Sequence, residues 1–145
     1  MAGLTEQTLT RFWAKVHKIT DGCWEWRASK DSKGYGHFWV AGSCRKAHRI
    51  AYELLVGPIP EGKQLDHLCR NRSCVRPDHL DPVTSRQNTL RGKTIAAAHA
   101  AKSHCDRGHA FDDANTSRSG NERICLACHR IRNRAYYERK RAEQR

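Results

Sequence analysis

No part of this 145-residue chain holds the run of about 20 apolar residues that a membrane span needs. The amino-terminal MAGLTEQTLTRFWAKVHK also lacks the apolar stretch of a secretory signal, so a cytoplasmic protein with no membrane partner is expected. Apolar side chains are scarce throughout: they make up 38% of the chain against 29% charged residues, with a mean hydropathy of −0.84. Burial alone does not hold a chain of this length together on such a composition, so one modest core with additional staples is expected. Acidic charge is the third shortage. Fifteen Asp and Glu face 27 Lys and Arg, giving a formal charge of +12 and a pI near 9.8, which favours a polyanionic partner.

Cysteine is what the chain does have. Seven cysteines, an odd number grouped as close pairs beside histidines, suit metal ligation better than a disulfide framework and imply a reducing compartment.

Along the chain, Thr8 to Lys18 has helical spacing of Leu9, Phe12, Trp13 and Val16. The aromatic runs CWEW and GYGHFWV, separated by the polar Ser29 to Gly34, predict a β-hairpin. Lys46 to Val56 is again helical, offers Ile50, Tyr52, Leu54 and Leu55 to a core, and stops at Gly57-Pro58. A short strand then delivers Asp66 and His67. After the polar loop CRNRSCVRPDHL, Thr84 and Gln87 have the spacing of a capping box, opening a helix with Asn88, Leu90 and Arg91 that Gly92 ends. Lys93 to Lys102 is an Ala-rich linker or exposed helix. No internal repeat stands out.

Hydrolysis of a phosphodiester needs a base to activate water and a cation to offset charge on the phosphate and the leaving oxygen. A neutral histidine suits the first task, and carboxylate and amide oxygens suit a hard divalent ion such as Mg²⁺. The run QLDHLCRNRSCVRPDHLDPVTSRQNTLRG resembles the HNH endonuclease signature, and its Cys-rich form resembles the His-Cys box homing endonucleases. The upstream RFWAKVHKITDGCWEWRASKDSKGYGHF and AHRIAYELLVGPIP are similar to segments of small HNH proteins of bacteriophages. The resemblance covers about Phe12 to Gly92 and, more loosely, the C-terminal cysteines. It implies His67 as general base, Asp66 and Asn88 as ligands of catalytic Mg²⁺ or Mn²⁺, and products with 5′-phosphate and 3′-hydroxyl ends. Adjacent residues in a regular strand point to opposite faces, so Asp66 and His67 share one site only if the strand ends or bulges there.

Cys69, Cys74 and His79 can wrap one tetrahedral zinc ion. The resemblance implies that an upstream cysteine completes the site, with Cys23 the better match and Cys44 the second. His79 has an alternative role, orienting His67, and Asn71 between two arginines reads as a turn residue. Cys105, His109, Cys125 and Cys128 have the spacing of a second structural zinc site. His104 and His129 are adjacent to ligand cysteines, and His48 reads as a packed helix residue. Arg70, Arg72, Arg76 and Arg91 crowd the proposed active site and can reach phosphates. A basic helix from Arg130 to Arg145, with Arg130 and Arg134 among its cations, can follow double-stranded DNA or serve only as a solvated tail. Tyr136 and Tyr137 either pack on the zinc module or stack on bases.

The expected fold is α+β: a small ββα-metal (HNH, His-Me finger) core with structural zinc, plus a C-terminal zinc knuckle and basic helix. Its expected divisions are residues 1–92 as nuclease domain, 93–103 as linker or helix, and 104–145 as zinc module. The expected function is metal-dependent DNA cleavage, with oligomeric state left open. The alternative is a non-catalytic zinc-dependent DNA-binding protein on the same scaffold, and RNA is a further partner that the basic helix would suit.

Overall fold

The computed structural model describes residues 4–144 other than Asn121. Arg145, the last cation of the expected basic helix, lies outside the described residues. The chain forms a mixed α and β fold of two compact units, Met1–Arg91 and Gly92–Arg145. No helix among the described residues is long and apolar enough to cross a membrane.

In the first unit, helix α1 (Glu6–Trp13) begins two residues before the expected start, because the Thr5 side chain caps it by accepting the Thr8 N–H. It also ends sooner. Val16, whose branched side chain favours extended backbone, opens strand β1 (Val16–Lys18), which pairs antiparallel with β2 (Trp24–Trp26). The expected hairpin between CWEW and GYGHFWV is therefore replaced by two others. Strand β3 (His37–Val40) pairs with β4 (Ser43–Lys46) through Ala41 and Gly42, whose φ values of 48° and 74° suit a two-residue hairpin turn. Around the Ser29 to Gly34 segment the chain folds back through an isolated bridge, Lys30 to Gly36, rather than through paired strands.

Helix α2 (Ala47–Leu55) follows β4 directly and buries Ala47, His48, Ile50, Ala51 and Tyr52. Leu54 is partly buried, whereas Leu55, an expected core residue, is exposed. The main core joins Phe12, Trp26, Phe38, Val40, Ala47, Ile50, Ala51 and Val75, with the Phe12 ring 5.1 Å from Trp26 and 5.2 Å from Phe38. Gly36 is required by this packing, since a Cβ there would lie 2.5 Å from the Trp26 ring.

Strand β5 (Gln64–His67) pairs antiparallel with β6 (Leu80–Val83), and a one-turn 3-10 helix, Pro77–His79, lies in the connection. Leu65 and Leu80 pack with Tyr52 as a second small core. Helix α3 (Ser85–Arg91) opens on the expected capping box: the Thr84 side chain accepts the Gln87 N–H, and the Gln87 side chain accepts the Thr84 N–H.

The second unit comprises α4 (Ile95–Ala101), the hairpin of β7 (Thr116–Ser119) and β8 (Glu122–Cys125), and the long helix α5 (Leu126–Glu143). Cys125 is its one buried hydrophobic residue among those described.

Candidate active site and metal centres

Backbone pairing brings Cys23 to the loop after β5. The Trp26 N–H donates to the Ser73 carbonyl (2.9 Å), the Val75 N–H donates to the Trp24 carbonyl (2.8 Å), and Glu25 bridges Cys74. Asn71 turns that loop by accepting the Ser73 N–H at 3.1 Å and the Ser73 hydroxyl at 2.8 Å, as its Asx-turn chemistry allows. The Arg76 guanidinium ties the loop to the residue before Cys23 by donating to the Gly22 carbonyl (2.9 Å).

The sulfurs of Cys23, Cys69 and Cys74 and a ring nitrogen of His79 consequently lie within 4.8 Å of one another. His79 Nδ1 is 3.6 Å from both Cys23 Sγ and Cys74 Sγ. Tetrahedral zinc with Zn–S near 2.3 Å and Zn–N near 2.0 Å would set sulfur and nitrogen about 3.5 Å apart, so the group could hold such an ion. Burial pushes the Cys74 thiol up to about 12 and raises Cys69 as well, and a cation is what would draw off those protons. Cys44 is exposed opposite Trp39 on the β3–β4 hairpin and is not part of this group.

His67, 5% exposed, is the last residue of β5. Its Nε2 is 3.1 Å from the Cys74 carbonyl. A carbonyl only accepts, so Nε2 must carry the proton and the lone pair of the neutral ring sits on Nδ1. Burial moves the imidazole below its ordinary value, opposed by the Cys74 hydrogen bond and the Asp66 charge. The ring packs against Tyr35 (5.7 Å) and, edge to face, His48 (4.9 Å). These two neighbours were missed in the sequence. From the sequence His48 reads only as a packed helix residue, and Tyr35 falls in the GYGHFWV half of a hairpin with CWEW that the structure does not form.

The register of β5 with β6 is unbroken through Asp66 and His67, and the two side chains meet different neighbours, but β5 ends at His67, the condition on which the pair can border one site. Asp66 is 4% exposed. Arg70 Nη1 donates to its Oδ1 (2.8 Å), while Oδ2 has no hydrogen bond and lies 3.8 Å from Arg91 Nη1. Arg91 also pairs with Asp81 at 2.5 Å. Asn88 lies on the same helix as Arg91, and its side-chain amide donates to Gln64 Oε1 (3.0 Å), two residues before Asp66 on the same strand face. Asp66 Oδ2 is a buried carboxylate oxygen without a hydrogen bond, the kind of donor a hard divalent cation takes, and the helix that carries Asn88 packs against its strand.

The remaining arginines divide between two settings. Arg72 donates to the Lys33 carbonyl at 3.2 Å and lies over the Tyr35 ring at 5.6 Å, and Arg76 is bound to Gly22 and Asp78. Arg130 and Arg134 are exposed on α5. Tyr136 and Tyr137 are also exposed and pack on each other at 5.4 Å.

In the second unit, Cys105 and His109 come from a tight turn in which the Cys105 carbonyl accepts the Gly108 N–H at 2.9 Å. Cys125 and Cys128 come from the start of α5, where the Cys125 sulfur accepts the Cys128 N–H at 3.5 Å. That contact is the main reason the Cys125 thiol falls to about 6. The four donor atoms lie within 4.8 Å of one another, with His109 Nδ1 3.4 Å from Cys105 Sγ and 3.3 Å from Cys128 Sγ, and they too could hold a metal ion. Asn115, another residue missed in the sequence, joins the halves: its Nδ2 donates to the Ala110 carbonyl (2.7 Å) and its Oδ1 accepts the Ala127 N–H (2.8 Å). His104 contacts the Ser103 hydroxyl instead and is not part of the group.

A family model described as HNH endonuclease matches residues 45–90, which span β4 to α3. The chain is similar to Protein 7.7 of Escherichia phage T7, 39% identical over 69 residues that make up 48% of this chain and 53% of that protein. It is similar to Protein 2.8 of the same phage, 30% identical over 76 residues, 52% of each chain. An uncharacterized gene 5.3 protein of Enterobacteria phage T3 is 33% identical over 85 residues, covering 53% of this chain and 83% of its own. The chain thus spans about half the length of the two T7 relatives. No solved structure matches it.

Proposed function

This chain belongs to the HNH endonuclease family in its phage type, and from that premise we propose that it is a metal-dependent endonuclease hydrolysing phosphodiester bonds of double-stranded DNA. The single observation that carries the reading is the 3.1 Å contact of His67 Nε2 with the Cys74 carbonyl, which requires the proton on Nε2 and leaves Nδ1 as the basic atom. On this reading His67 Nδ1 takes a proton from the attacking water, and burial keeps the ring neutral to do so. A divalent ion, Mg²⁺ or Mn²⁺, held by Asp66 and Asn88 supplies the charge that offsets the phosphate and the leaving oxygen. Strand β5, β6 and α3 then serve as the ββα-metal core.

Zinc at Cys23, Cys69, Cys74 and His79 has a double duty in this proposal. It fixes the loop, and through Cys74 it fixes the carbonyl that orients His67. A second structural zinc at Cys105, His109, Cys125 and Cys128 anchors α5, whose Arg130 and Arg134 bind the DNA backbone. Arg70, Arg72 and Arg91 complete the phosphate contacts on the nuclease side. Residues 1–92 act as the nuclease domain and 104–145 as the DNA-gripping module.

A second reading, a non-catalytic DNA-binding protein, is favoured by one observation: Asp66 is already engaged by Arg70 and Arg91. Incubation with supercoiled plasmid separates the two. Nuclease action requires conversion to nicked or linear DNA with Mg²⁺ or Mn²⁺, its loss in EDTA, and its loss in Asp66→Asn. Binding without conversion under all metals tried contradicts the enzyme.

A further inference from the structure

We propose that Arg70 is a positioning residue with two alternative partners, and that its transfer from Asp66 to a DNA phosphate admits the catalytic cation only when substrate is present. The inference rests on the assignment of Asp66 to a divalent ion and goes beyond it by naming what controls access to that carboxylate.

The two members of the ion pair are unequally held. Asp66 is fixed inside β5, with its side chain 4% exposed, whereas the Arg70 side chain is 55% exposed and borders solvent. Its backbone is strained: φ is +58°, in the left-handed region that non-glycine residues rarely adopt, and the turn is closed by the Arg70 N–H donating to the His67 carbonyl at 3.0 Å. That turn brings the guanidinium back over the strand it has just left. One nitrogen then donates to Asp66 Oδ1 (2.8 Å) and another to the Arg91 carbonyl at the end of α3 (3.0 Å), so Arg70 spans from Asp66 to the helix that carries Asn88.

A guanidinium and a divalent ion on one carboxylate repel each other, so their binding is competitive. Arg91 does not compete in the same way, because its shorter contact is to Asp81 and its distance to Asp66 is 3.8 Å. A phosphodiester is a good alternative partner for Arg70, since the planar fork matches two phosphate oxygens. Departure of Arg70 onto phosphate would leave buried Asp66 with only the longer Arg91 contact, and a buried charge so poorly compensated draws in another cation strongly. DNA therefore raises metal affinity, and by linkage metal raises DNA affinity by the same factor.

The experiment is a Mn²⁺ titration, followed by the electron paramagnetic resonance signal of free Mn²⁺, on the zinc-loaded full chain carrying His67→Ala. Asp66→Asn in that background gives the blank. Short duplex DNA should tighten Asp66-dependent Mn²⁺ binding by about tenfold, a 1.4 kcal/mol change. Arg70→Gln should tighten it by a similar factor without DNA and leave DNA little further effect. Arg70→Gly, which accepts the left-handed turn, serves if the Gln variant does not fold. Equal Mn²⁺ affinity with and without DNA, unchanged by either substitution, overturns the coupling while leaving the metal assignment intact. Absence of Asp66-dependent binding in every sample overturns both.

Discussion

The two Cys/His groups have similar donor sets, three sulfurs and one imidazole each, but sit in opposite surroundings. The first is backed by the aromatic core of Phe12, Trp26 and Phe38, with Val75 buried one residue from Cys74. Around the second, the one buried hydrophobic residue among those described in its unit is Cys125, itself a member of the group. The contrast separates two ways of making a small fold. In the first unit apolar burial surrounds the cluster, and an ion held there would mainly set the geometry of the Cys69–His79 loop. In the second, the cluster has almost no apolar burial to assist it, so an ion held there would be coupled to folding.

The largest expected effect comes from removing the second cluster. Cys125→Ser with Cys128→Ser should lose one of two bound ions by metal analysis. Structural zinc binding is worth about 10 kcal/mol or more, so β7, β8 and α5 should unfold, with a fall in helical circular dichroism. Tryptophan fluorescence should stay native, because all four tryptophans lie between Trp13 and Trp39. A change there would mean that the first unit depends on the second cluster.

The reciprocal change comes next. Trp26 is fully buried, and Trp26→Ala should cost the first unit about 3–5 kcal/mol in urea unfolding while the second cluster keeps its ion. If the second ion is lost as well, the two units are not independent.

A smaller effect sharpens the description of the first core. Burial lowers His48 from 6.5 to about 3. Below pH 6.5 the unfolded chain takes up a proton that the folded chain refuses, so this contribution to stability is present at neutral pH and is lost progressively as pH falls toward 3. The slope reaches about 1.4 kcal/mol per pH unit. His48→Phe should remove that part of the acid sensitivity relative to wild type, and stability curves measured from pH 7 to 5 should diverge accordingly. Parallel curves would place His48 in a wetter environment than the structure gives it.

Local signals in the sequence located much of the first unit. The periodic apolar positions of α2, the Gly57 stop, the strand carrying Asp66 and His67 and the Thr84–Gln87 cap each depend on residues within a few positions of one another. Close spacing likewise anticipated Cys69, Cys74 and His79 as one group and Cys105, His109, Cys125 and Cys128 as another, whereas distant Cys23 came from the family resemblance, with Cys44 as second choice. What escaped was pairing across the chain. CWEW and HFWV both have strand character, and nothing local says that β1 and β4 are their partners. The short Ala41-Gly42 turn wins over the longer Ser29–Gly34 segment. From that error followed the failure to see Tyr35 against His67. The hold of Arg70 on Asp66 was hidden for another reason, the left-handed backbone at Arg70, which no residue type announces.

The central claim is that His67 is the base of a nuclease site. Its most direct measurement is the rate of plasmid cleavage in Mg²⁺ by wild type and His67→Ala protein, matched for zinc content and for DNA affinity. The variant should bind DNA as wild type does and lose at least about 10²-fold in cleavage rate. Cleavage at the wild-type rate by folded His67→Ala would contradict it.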